Sequence, residues 1–307
     1  MITQEQKQRI LDAMASNRAN YQSDARHAAS LGISASVYSD LRNGRLEKSL
    51  SDANWLRLAR RLGVSLSGGT GWKAVRTETF DYVTGQLSYC QQNSYSVILC
   101  DVPNIGKTFS ARHYAMTHKN VAMVDCSQVK VRGRFVRALA REFGLGDKGL
   151  LSDVYEDLVC YLRSSESPLV ILDEAGDLTS CAFLELKALW NASEHCCGWY
   201  MMGADGLRAK IDSAIKWCKV GYAEIFSRYG GKYSKATPDG DRERASYMRR
   251  QLSLVARANA PKGMDVTPLV NKSMEGGGLR RLYTEIRKQA MSSVREVSDV
   301  AQQPSEA

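Results

Sequence analysis

The chain has 307 residues, 44% apolar and 24% charged, which is enough apolar material for packed cores and excludes collagen-like, low-complexity or wholly disordered character. Apolar runs such as Leu169–Leu172 and Trp199–Met202 fall far short of the roughly 20 residues a membrane helix needs. Residues 1–10 are polar and charged, without the apolar stretch of a signal peptide, so the expectation is a cytoplasmic protein with no membrane partner. The formal charge of +9 points to a polyanionic partner. It is carried by the ends of the chain: 10 Lys and Arg stand against 6 Asp and Glu in residues 1–66, 18 against 18 in residues 67–229, and 14 against 9 in residues 230–307.

In residues 1–64 the spacing of apolar residues predicts four short helices, Gln4–Ser16, Ser23–Leu31, Ser34–Asn43 and Ser51–Leu62. Ser23 and Ser34 are placed as N-caps, and Gly32 and Gly44 as stops. The stretch Asp24–Gly44 fits a helix-turn-helix: Ala28 is small where two helices touch, Gly32 tolerates the turn, and Leu31, Ile33 and Leu41 fall on the buried side. It resembles helix-turn-helix domains of the phage-repressor type down to Leu41-Arg-Asn-Gly44, with Tyr38 where a smaller aliphatic residue is usual. If the second helix enters a major groove, it presents Ser34, Ala35, Ser36, Ser39, Asp40 and Asn43, with Arg42 and Arg45 near phosphates. That set lacks the bidentate arginine contacts of base reading. Two uses are open: duplex DNA binding through Ser34, Ser36, Ser39, Asn43 and Arg45, or docking of a protein partner.

The segment Ser65-Leu-Ser-Gly-Gly-Thr-Gly71 reads as flexible coil within a linker of residues 65–74. Residues 75–235 then alternate short Val/Ile/Leu-rich runs (Ser96–Cys100, Asn120–Asp125, Pro168–Asp173, Trp199–Gly203) with helical patterns. This is the signature of an α/β core with a parallel sheet between helices. Helical spacing resumes in a C-terminal lid of residues 236–297, and residues 298–307 are polar and expected to be disordered. The eight cysteines form no CxxC pair, and most lie in apolar runs, so they are expected to be reduced and structural.

Within the core, Val97-Ile-Leu-Cys-Asp-Val-Pro-Asn-Ile-Gly-Lys-Thr108 is an apolar strand, a loop and the start of a helix. The phosphate-loop pattern G-x-x-x-x-G-K-[ST] is met except at its first position, where Asp101 replaces Gly. Asp101, Val102, Pro103, Asn104, Ile105, Gly106, Lys107, Thr108 and Phe109 are the candidate ATP-binding residues, with Lys107 reaching the β and γ oxygens and Thr108 ligating Mg²⁺. An acid at the loop entry sits near phosphate, against affinity. Leu169-Val-Ile-Leu-Asp-Glu174 is a buried strand ending in two carboxylates, which belong in the crevice where such sheets bind ligands. Asp173 suits the Mg²⁺ shell, and Glu174 suits the orientation of attacking water.

Trp199-Tyr-Met-Met-Gly-Ala-Asp205, Glu224-Ile-Phe-Ser-Arg228 and Gly276-Gly-Gly-Leu-Arg-Arg281 follow in that order. They look like the sensor 1, arginine-finger and sensor 2 elements of AAA+ ATPases, which implies catalytic roles for Asp205 and Arg228 and a nucleotide contact for Arg280, with Arg281 its rival. A helix-turn-helix domain, a linker, an AAA+ P-loop NTPase core and a helical lid together resemble the MuB family of DNA-transposition ATPases, and more distantly the transposon helper ATPases of the IstB and TnsC types. The resemblance implies an ATP-dependent, largely sequence-nonspecific protein that forms a homo-oligomeric helical filament on double-stranded DNA, selects target DNA and recruits a transposase. It also implies that Arg228 of one subunit completes the ATP site of its neighbour. Lys130-Val-Arg-Gly-Arg-Phe-Val-Arg137 is a basic cluster in an otherwise neutral core. Lys130, Arg132 and Arg134 either track a DNA backbone or form a solvated helix face. The alternatives are a helicase-loader type of AAA+ ATPase, or a helix-turn-helix transcriptional regulator with a nucleotide-binding core.

Overall fold

A computed structural model describes residues 2–46, 50–64, 66, 72–261 and 263–300, with side chains as far as Gln289. Four helices open the chain: α1 (Gln4–Asn17), α2 (Asp24–Leu31), α3 (Ala35–Arg42) and α4 (Asp52–Arg61). Each starts on a hydroxyl cap, from Thr3, Ser23, Ser34 and Ser51 respectively, which satisfies an amide that the first turn cannot pair. α2 ends where Gly32 turns left-handed. Their apolar faces meet in a core built on Ile10, Met14, Ala28, Leu31, Tyr38, Leu41, Trp55 and Leu58. Tyr38 is one of its organising residues. Its ring is buried and its hydroxyl lies 2.7 Å from Nδ1 of the buried His27, whose Nε2 faces Asn17 at 3.2 Å. Burial pushes His27 down to about 4, so the ring is neutral in this packing.

The expected linker falls largely outside the described residues, at 65 and 67–71, and residues 72–77 carry no regular structure. The α/β part follows: α5 (Glu78–Asn93), β1 (Ser96–Cys100), α6 (Lys107–Thr117), β2 (Val121–Asp125), α7 (Arg132–Glu142), α8 (Leu151–Ser164), β3 (Leu169–Asp173), α9 (Ser180–Ala192), β4 (Gly198–Gly203), α10 (Asp205–Lys216), α11 (Tyr222–Arg228) and β5 (Tyr233–Ser234). The five strands form one parallel sheet in the order β2-β3-β4-β1-β5. Every residue of β3 and β4 is buried, as both faces of a parallel sheet are when helices cover them. Because all strands run the same way, β1, β3 and β4 end at one edge. The two-residue β5 lacks any run that sequence could reveal and exists by pairing with Ile98 and Leu99. Helices α12 (Asp241–Asn259), α13 (Thr267–Met274) and α14 (Gly278–Val300) complete the chain. Residues 298–300, expected to be disordered, continue α14, and 301–307 lie outside the described residues.

Two compact units divide the chain. The first comprises Met1–Gly71, Thr84–Cys100 and Ala111–Ser234, and the second Trp72–Val83, Asp101–Ser110 and Lys235–Ala307. Within the first, the N-terminal helices rest on the sheet's helical cover. The Arg26 guanidinium lies over the Tyr161 ring at 4.8 Å, and Asn20 Nδ2 donates to the Met116 carbonyl at 2.5 Å. At Gly144, left-handed at φ +72°, a Cβ would stand 2.3 Å from the Arg26 carbonyl oxygen, so only glycine permits this seat. Within the second, Leu252, Val255, Leu269, Val270, Leu282 and Ile286 form the core of α12–α14.

The described cysteines are unbridged. Cys90, Cys100, Cys126 and Cys197 are buried as expected, whereas Cys160, Cys181 and Cys218 are exposed because their helices or loops turn them outward. Among the described residues no helix is long and apolar enough to cross a membrane.

Candidate nucleotide site

The loop leaving β1 is shaped by Asn104 and Gly106, at φ +61° and +104°, and by Ile105, whose fully buried side chain anchors the turn. Val102 and Asn104 are half-buried, while Pro103 and Phe109 are exposed. α6 begins at Lys107, so its first amides are free of helical partners and the helix dipole favours an anion there. Lys107 Nζ donates to the loop's own carbonyls, Asp101 O at 2.6 Å and Val102 O at 2.7 Å. The ammonium is thereby held over the loop. Thr108 is half-exposed, and no hydrogen bond of its hydroxyl is seen among the described residues, whereas the hydroxyl of Ser110 is spent on Gly106 O at 3.0 Å. A lysine, a helix start and a threonine hydroxyl in this order fit a triphosphate with its Mg²⁺.

Asp101 departs from its expected role. The residue is 1% exposed, and most of its hydrogen bonds go to the segment before α12. Oδ2 accepts from the amides of Ala236 and Thr237 at 2.7 and 2.8 Å, and Oδ1 accepts from the Thr237 hydroxyl at 2.5 Å and the Val102 amide at 2.8 Å. Its charge is thus consumed by four donors and does not face phosphate. Glycine's freedom is not used here, since Asp101 is absent from the left-handed residues of the loop. Sequence reasoning missed Thr237; the signal available was the acid itself, standing where a side chain is unusual.

At the end of β3, Asp173 is buried, with its carbonyl oxygen accepting from the Cys126 amide at 2.9 Å and Oδ1 accepting from the Glu174 amide at 3.0 Å. Glu174 is exposed and left-handed, at φ +48° and ψ +42°. Behind it, the turn Ala175–Asp177 is tied down by Lys210, whose ammonium donates to the carbonyls of Gly176, at 2.7 Å, and Leu178. Desolvation holds the Lys210 pKa below its ordinary value. Burial, reinforced by Asp173, pushes the Cys126 thiol up, so this corner carries no thiolate.

The remaining expected site residues lie on several elements. Asp205 is not at a strand end: β4 stops at Gly203, and Asp205 is exposed in the first turn of α10. Arg228 ends α11 with its guanidinium 5.3 Å from the centre of the Trp190 ring of the same chain, and one terminal nitrogen is buried without a partner among the described residues. Arg280 is exposed in the first turn of α14, next to Leu279, whose amide donates to Asn104 O in the phosphate loop at 3.1 Å. Arg281 instead faces Glu275 at 3.8 Å. In the basic cluster, Lys130 pairs with Asp177 at 2.9 Å and Arg132 with Glu185 at 2.7 Å, and Arg134 is exposed. On α3, Ser34, Ser36, Ser39 and Asn43 are exposed, with Ser34 capping the helix and bonded to Ser36 at 3.0 Å, and Asn43 donating to Ser39 at 3.3 Å. Arg45 pairs with Asp40 at 3.2 Å, and Arg42 with Asp24.

A family profile described as an AAA domain matches residues 90–211, the span that holds β1, the phosphate loop and the acidic end of β3. These residues are an AAA domain. An AAA domain implies the P-loop ATPase fold. The chain is also a distant homologue of the ATP-dependent target DNA activator B of Escherichia phage Mu, 26% identical over 227 residues that make up 71% of this chain and 67% of that protein. The protein of the same name from Escherichia phage D108 is 28% identical over 162 residues, 50% of this chain and 48% of that one, so the chain spans about half the length of the D108 relative. Among solved structures, the Aeropyrum pernix ORC1 protein in complex with DNA is similar in fold, with a TM-score of 0.54 at 17% identity, covering 71% of this chain and 60% of that one.

Proposed function

We propose that the chain is an ATPase that assembles on duplex DNA in its ATP-bound form, selects that DNA as a target and recruits a transposase. The observation that carries this reading is the similarity to the phage Mu target DNA activator, which extends over 71% of the chain and therefore beyond the AAA domain alone. The site chemistry supports it. Lys107 and the amides at the start of α6 neutralise and orient the β- and γ-phosphates. Thr108 and Asp173 are the residues that would hold Mg²⁺, which would supply charge neutralisation at the transferred phosphoryl group. Glu174, exposed at a strand end, orients the attacking water. Arg280 enters the site from the first turn of α14, and Arg228 acts on the nucleotide of a neighbouring copy. The exposed hydroxyls and amide of α3 suit phosphate contacts better than base reading, in keeping with sequence-tolerant DNA binding.

Electron microscopy of the full chain with long duplex DNA tests this reading, comparing ATP, ADP and no nucleotide, with Glu174→Gln as the trapped form. Filaments coating the duplex only with ATP, and persisting in Glu174→Gln, are the expected result. Closed rings that leave duplex bare would instead favour a helicase loader, and binding of one discrete DNA site without nucleotide would favour a transcriptional regulator.

A further inference from the structure

The phosphate loop is fastened to the C-terminal helices at two points. At its entry, three of the four donors on the Asp101 carboxylate come from Ala236 and Thr237, in the segment that leads into α12. That segment is itself gripped from α12, where Arg244 donates to the carbonyls of Pro238 at 3.2 Å and Asp239 at 2.7 Å. At its crest, Asn104 O accepts the Leu279 amide at 3.1 Å. Gly278 makes this approach possible: it is left-handed at φ +49°, and a Cβ there would lie 2.9 Å from Asn104 O.

We infer that Asp101 is a positioning residue that locks the phosphate loop to the start of α12, so that nucleotide bound on the loop is registered directly by the C-terminal helices. The inference rests on the ATP-binding reading above and deepens it by naming the route. A carboxylate suits this task because it accepts up to four hydrogen bonds without offering a proton, and here it meets two backbone amides and a hydroxyl of the segment that leads into α12. A glycine in its place would leave the amides of Ala236 and Thr237 without that partner and remove this end of the attachment, while the bond from Leu279 to Asn104 remains. Thr237 is the counterpart in the lock: it is 4% exposed, and its hydroxyl donates to the same carboxylate.

Hydrogen exchange on the full chain, with and without the non-hydrolysable analogue AMP-PNP, decides the matter. In the wild type, AMP-PNP should slow exchange in residues 101–110 and also in residues 236–247. In Asp101→Gly and in Thr237→Val the slowing at 236–247 should shrink at least about fivefold, and Thr237→Ser, which keeps the hydroxyl, should restore it. Equal slowing at 236–247 in wild type and Thr237→Val would overturn the inference, and Thr237→Val keeps the test alive should Asp101→Gly fold poorly. If AMP-PNP protects nothing in the wild type, the ATP reading fails. The lock is then judged without nucleotide: the amides of Ala236 and Thr237 should exchange at least about tenfold faster in Asp101→Gly, and unchanged rates would sink it.

Discussion

Asp101 at the entry of the phosphate loop commits both carboxylate oxygens to four donors, whereas Glu174 at the end of β3 is an exposed acid on a left-handed residue. The loop is thus shaped in advance: its lysine rests on its own carbonyls, and its crest is bonded through Asn104. The acidic end of β3 is held at Asp173 and, behind it, by Lys210 on the Gly176 and Leu178 carbonyls, while the Glu174 side chain is exposed. Binding a charged ligand profits from groups already in place, because little ordering remains to be done on association. A residue that must meet a water molecule profits from reach. On the function proposed above, the difference suits the phosphate loop to affinity and the end of β3 to turnover.

Substitutions should separate those two roles. The largest effect is expected from Lys107→Ala, which removes the charged donor from the loop and should weaken ATP binding about 100-fold, at the upper end for a hydrogen bond to a charged group. Titration with a fluorescent ATP analogue measures it, and a change under threefold would contradict the assignment of the loop. Next comes Glu174→Gln. It should lower kcat about 100-fold, in the range for loss of a positioned base, with nucleotide affinity within about threefold of wild type. A matching loss of affinity would erase the contrast between the two regions.

The smallest effect concerns DNA. Lys130→Ala, Arg132→Ala and Arg134→Ala combined should reduce the slope of log affinity against log salt by about 0.9, the share of one phosphate contact, and Arg134→Ala alone should do nearly as much. The reason is that Lys130 and Arg132 are already paired with Asp177 and Glu185. A drop near three times that size would mean that DNA breaks both ion pairs, and an unchanged slope would remove the cluster from the DNA surface.

What could be read in the sequence was local. The caps at Ser23, Ser34 and Ser51 announce helices within three residues of themselves, and the spacing of Gly106-Lys-Thr108 and of Asp173 and Glu174 after apolar runs marks a phosphate loop and an acidic strand end. What could not be read depends on partners far along the chain. Asp101 meets Ala236 across 135 positions, Arg132 meets Glu185 across 53, and β5 is a strand only because β1 lies beside it. Counting charge therefore overstated the basic cluster, and the acid at Asp101 looked like a flaw in the loop when it is a fastening.

Gly144 bears on how the N-terminal helices are carried. Since the Arg26 carbonyl presses against that glycine and Arg26 lies on Tyr161, α2 is seated directly on the helices that cover the sheet, and position 144 admits hydrogen alone: a single missing side chain sets how closely the N-terminal helices approach.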